Sequence, residues 1–101
     1  MKKKTTTFDQ LLDKEKCVNF FSRYGYYTHK EDERDLVLKK AGTVFTFSGK
    51  KIPMELSISF RDSETEFSLK YDAYVLFDTG DLQKELDRIA SLMKTNMNKL
   101  I

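Results

Sequence analysis

Apolar and polar positions change their spacing twice along this chain. Near the start the apolar residues sit at helical intervals, then they alternate, then they return to helical intervals. Phe8, Leu11 and Leu12 make one apolar face, and Cys17, Phe20, Phe21 and Tyr24 make another. At ~100° per residue the two faces point roughly opposite ways, so one straight helix would expose one of them. The pattern therefore predicts a short helical turn opening at Thr7, where Thr7 and Gln10 have capping-box spacing. A break near Asp13-Lys14-Glu15 follows, then a second helix ending at Gly25, a residue suited to a left-handed terminus.

After Gly25 the period becomes two. Residues 26–30 and 36–40 read as strands separated by the charged turn Glu31-Asp32-Glu33-Arg34-Asp35. Ala41-Gly42 leads into a further strand at 43–48, and Gly49-Lys50-Lys51 is the next turn. The clearest alternation is Ile52, Met54, Leu56, Ile58 and Phe60 against Pro53, Glu55, Ser57, Ser59 and Arg61. Such regularity means a strand with one buried face, and Pro53 belongs at its start because proline donates no ladder hydrogen bond. Phe67, Leu69, Tyr71, Ala73, Val75 and Phe77 repeat the pattern after the turn at 62–64, and Tyr74-Val75-Leu76-Phe77 then loses the alternation.

The final segment returns to helical spacing. Asp78-Thr79-Gly80-Asp81 supplies capping side chains and early negative charge. Leu82, Leu86, Ile89, Met93, Met97 and Leu100 then form one narrow stripe suited to packing on a sheet. These elements define an α+β fold. An N-terminal helix, broken or continuous, precedes an antiparallel meander of four to five strands, and a long C-terminal helix covers one sheet face. The other face, carrying Ser57, Ser59, Arg61, Ser68, Lys70 and Asp72, is left to water.

Composition sharpens this outline. A chain of 101 residues supports one domain, here residues 8–101, behind a flexible basic arm at 1–7. Lys2-Lys3-Lys4 is followed by Thr5-Thr6-Thr7 rather than by an apolar run, so the arm does not read as a secretory leader. No apolar stretch approaches the ~20 residues of a membrane span. The net charge of +2 conceals an imbalance. Residues 1–52 hold 12 Lys and Arg against 7 Asp and Glu, whereas residues 53–101 hold 6 against 9. One cysteine excludes an internal disulfide, which fits a reducing compartment, and the cytoplasm is the expected location.

Catalytic chemistry finds no support in the residues. Cys17 lies on an apolar face, and His29, the only histidine, sits in a strand with nothing to place it beside the thiol. One His and one Cys give no zinc spacing. The acids Glu31, Asp32, Glu33 and Asp35 lack the order of a calcium loop and read as a solvated turn. The glycines at 25, 42, 49 and 80 are too dispersed for a phosphate loop. No enzyme activity, cofactor or metal is therefore expected.

Three binding functions remain. The leading one is a small interaction module of the adaptor, inhibitor or immunity type, binding another protein through a charge-asymmetric surface and the open sheet face. Its interface residues would be Tyr26, Tyr27, Lys50, Lys51 and Tyr74, in a chain that is a monomer or a homodimer. A second is an apolar ligand or lipid held among Phe20, Phe21, Tyr24, Phe45 and Phe47, although a chain this short has little packing to spare for a cavity. The third is weak nucleic-acid binding through Lys2-Lys3-Lys4, Lys39-Lys40 and Lys50-Lys51. Against it, the sheet aromatics Phe60, Phe67 and Tyr71 point inward.

Overall fold

A computed structural model describes residues 3–41, 53–72 and 80–101. The elements run β1 (Lys4–Phe8), α1 (Lys14–Ser22), β2 (Tyr26–Glu31), β3 (Asp35–Lys40), β4 (Met54–Phe60), β5 (Thr65–Tyr71), α2 (Asp81–Thr95) and α3 (Met97–Leu100). The five strands among the described residues join one antiparallel sheet in the order β1-β5-β4-β3-β2. The meander β2 to β5 follows chain order, and β1 returns to pair with β5. The fold is the expected α+β arrangement, with helices against one sheet face.

The register explains the core. Leu36, Ile58 and Phe67 face one another across three strands, as do Leu38, Leu56 and Leu69. None of these six is more than 1% exposed. Leu82, Leu86, Ile89, Met93 and Leu100 cover this row from the helical layer, each also buried. Full burial of a side chain such as Leu56 stabilises the fold by about 1.5–3 kcal/mol. The C-terminal stripe is not one helix, however. It breaks at Asn96, whose side-chain amide and backbone N–H both donate to the Leu92 carbonyl.

Helix α1 begins where the sequence places its break. The Asp13 carboxylate accepts from the Lys16 amide at 2.9 Å, which satisfies an otherwise unpaired N–H of the first turn. Cys17, Phe20 and Phe21 form its buried face. The helix ends at Ser22, and the turn through Gly25 reverses the chain into β2. Gly25 has φ +89°, a left-handed conformation that a side chain would strain.

The N-terminal segment corrects two expectations. Residues 4–7 are not a flexible arm, and no helical turn opens at Thr7, because Lys4–Phe8 is a strand on the edge of β5. Three consecutive β-branched threonines favour this extended form. Phe8 anchors it, packing edge-on against Phe67 at 5.4 Å. The Thr5 and Ser68 hydroxyls meet at 3.1 Å on the opposite face. Inside the same corner Thr65, fully buried, accepts from the Leu12 amide at 3.0 Å and donates to the Gln10 carbonyl at 2.8 Å. The expected strand at 43–48, the turn with Lys50 and Lys51, Phe45 and Phe47, and the segment with Tyr74 and the caps Asp78 and Thr79 all lie outside the described residues.

Candidate functional site

Alternation along the strands leaves one sheet face outside the helical layer. Its register aligns three rows: Lys70, Glu55, Lys39 and Tyr27; Thr5, Ser68, Ser57 and Val37; and Thr7, Glu66, Ser59 and Asp35. Small hydroxyl side chains occupy the middle, and charges flank them. Lys70 pairs with Glu55 at 3.2 Å, Lys39 with Asp72 at 3.2 Å, and Arg61 with Glu66 at 3.3 Å, while the Ser59 hydroxyl donates to Asp35 at 3.0 Å. Exposed pairs of this kind add little stability, so their main effect is a surface of alternating sign. The serines leave a shallow depression of about 230 Å3 bordered by Lys3, Glu55, Glu66 and Lys70. Ser57, Ser59, Arg61, Ser68, Lys70 and Asp72 all lie on the side away from the core, while Leu56, Ile58 and Leu69 are fully buried.

The expected interface tyrosines separate. Tyr27 is 53% exposed at the edge of this face. Tyr26 points the other way and is buried, so it cannot meet a partner on the open face. The reason is the strand period, which sends neighbours to opposite faces. The Tyr26 ring packs against Phe21 at 5.7 Å, and its hydroxyl donates to Glu85 at 2.7 Å.

Glu85 is the hub of that inner site. It accepts from Arg88 through both oxygens, at 2.7 and 2.9 Å, and Lys40 lies 3.4 Å away. Arg88 also sits over the Tyr24 ring, and Lys40 over the Tyr26 ring. Burial alone would raise the Glu85 pKa. Hydrogen bonds from Arg88 and Tyr26, with the charges of Lys40 and Arg88, outweigh it and hold the carboxyl below its usual range. Burial, with the Glu85 charge and its hydrogen bond, pushes the Tyr26 phenol far above its ordinary value. Both shifts run away from neutrality, so at neutral pH Glu85 is charged and the Tyr26 phenol keeps its proton. Sequence reasoning missed Glu85 and Arg88 because both read as ordinary charges on the polar side of the α2 stripe.

The other candidates divide in the same way. Phe20 lies edge-on to Phe21 at 5.3 Å and tilted against Tyr24 at 5.3 Å, so these rings fill one another's space in the core. Burial, with the Asp13 charge, pushes the Cys17 thiol up to about 12, whereas a nucleophile needs a lowered pKa. His29 is exposed on edge strand β2, where the pairing register slips between Thr28 and Lys30. The acidic turn 31–35 is exposed, and the Lys14 ammonium donates to its Asp32 and Glu33 carbonyls. Among the described residues no group of three His, Cys, Asp or Glu is placed to hold a metal ion, and no helix is long and apolar enough to cross a membrane. The elements define a small α+β domain with a one-sided helical layer. No family model, curated protein or solved structure matches the chain.

Proposed function

We propose that this chain is a small non-enzymatic interaction module that binds another protein through the open face of its sheet. The observation that carries this reading is the face itself. Small hydroxyl side chains line a shallow depression at its middle, and cations and carboxylates alternate around them. The partner that fits is a protein surface with charges of both signs in the complementary order, because matched potentials fix register and suppress wrong partners. Exposed Tyr27 supplies an amphipathic contact at the rim. Lys39 and Lys40 are each already paired with a carboxylate, which weighs against a nucleic-acid role for that lysine pair. A cytoplasmic setting suits the single unpaired thiol.

The test places bulk and charge on the face. A Ser57→Arg/Ser68→Arg double variant should lose the protein that the wild type captures, while Lys84→Glu on α2 retains it. Equal capture by all three overturns the reading. A solution mass of two chains, reduced to one by the double variant, would assign the face to a second copy of this chain instead.

A further inference from the structure

A second depression, of about 190 Å3, lies between α1 and the end of the helical layer. Its floor is apolar, made by the buried side chains Phe20 and Leu100. Lys16 and Asn19 line it from one face of α1 and Arg23 from that helix's C-terminal cap, and Asn96 and Lys99 line it from the α2–α3 break and α3. Three cations and two carboxamides surround it, with no Asp or Glu side chain among the lining residues.

Among the described residues the three cations of this groove have no side-chain carboxylate partner, a state they share with Lys3, Lys4, Lys14, Lys30, Lys84 and Lys94. Arg34, Lys39, Lys40, Arg61, Lys70 and Arg88 each have a carboxylate within reach. Among the described residues Arg23 and Lys99 form no ion pair, and the Lys16 ammonium donates to a main-chain oxygen of Ile101 at 2.9 Å. The acids nearest along the chain are Glu15, which is exposed and forms no ion pair with a groove cation, and the N-cap Asp13, whose carboxylate accepts from the Lys16 backbone amide. Three cations without a side-chain carboxylate partner are therefore gathered over an apolar floor.

We infer that this groove binds an acidic peptide segment of a partner protein, with carboxylates on Lys16, Arg23 and Lys99 and an apolar side chain over Phe20 and Leu100. The inference rests on the interaction-module reading and gives that module a second contact, remote from the sheet face. The volume is below the ~300 Å3 at which small-molecule pockets begin. Single-stranded nucleic acid would need an aromatic face on which bases stack, and the Phe20 ring is already packed against Phe21 and Tyr24.

The test uses a short fluorescent peptide of glutamate and leucine, its glutamine-for-glutamate analogue, and a single-stranded oligothymidylate. The glutamate peptide should bind at low salt and the analogue should not. Joint Lys16→Gln, Arg23→Gln and Lys99→Gln should weaken binding about tenfold, as expected for three exposed charge contacts of modest individual strength. The equally discharged Lys4→Gln, Lys30→Gln and Lys84→Gln variant should bind as the wild type does. In the unmodified protein, amide shifts on titration should centre on Asn19, Arg23, Asn96 and Lys99, a readout that does not depend on the variants folding. Equal weakening in both triple variants, shifts centred on the sheet face, or tighter binding of the oligothymidylate each overturns the inference. Ser57→Arg/Ser68→Arg should leave peptide binding intact. If that double variant also keeps the captured partner, the sheet-face reading fails while the groove stands.

Discussion

The hydroxyl of Tyr26 on β2 donates to the carboxylate of Glu85 on α2 at 2.7 Å, joining an edge strand to the helix that covers the sheet. Removing that hydroxyl alone, in Tyr26→Phe, leaves Glu85 with Arg88 and Lys40. A hydrogen bond to a charged group gives a destabilisation of about 1.5–3 kcal/mol. Urea unfolding should show a lower midpoint at unchanged slope.

The same carboxyl makes stability depend on pH. Its folded pKa is lowered, so the stabilisation is present above the unfolded value and is lost as pH falls through the folded one. Glu85→Gln should flatten that acid limb of the curve while lowering stability at neutral pH. An unchanged acid limb would show that Glu85 does not drive it.

Thr65 ties the segment after β1 to the start of β5 through one donated and one accepted bond. Thr65→Val keeps the shape but strands the Leu12 amide and the Gln10 carbonyl, at about 1–3 kcal/mol for a buried unsatisfied group. Thr65→Ser, which keeps the hydroxyl, should lose far less. Thermal melts of the two variants distinguish hydrogen bonding from packing.

Cys17 is fully buried, with its pKa at about 12. Thiol reagents at mildly alkaline pH should leave it unmodified in the folded protein and label it in denaturant. Labelling at the rate of a free thiol in the native state would contradict this burial.

Regular alternation made β4 and β5 legible, because Leu56, Ile58, Phe67 and Leu69 each sit two residues from the next apolar position. The stripe from Leu82 to Leu100 marked the helical layer because its apolar residues recur every three or four positions, which keeps them on one helical face. β1 was hidden because Thr5 and Thr7 on the outer face and Thr6 on the inner are alike, so no apolar rhythm marks the strand. Thr7 and Gln10 imitate a cap, while the residue that caps α1 is Asp13. For the candidate surface, alternation placed the serines correctly. The Tyr26–Glu85 contact and the cationic groove join residues far apart in sequence, and only tertiary packing brings them together.

The pairing of β1 with β5 has a consequence in time. Thr5 and Ser68 are 63 residues apart, whereas β4 and β5 are joined by a short turn. Distant pairings close after local ones, since the loop entropy is lost before the contact repays it. Thr6→Gly in β1 should therefore speed unfolding while barely slowing refolding, a split that stopped-flow kinetics reads directly. A growing chain would carry Lys4–Phe8 unpaired until β5 has emerged, so β1, although it leads the described strands in the chain, waits for the last of them.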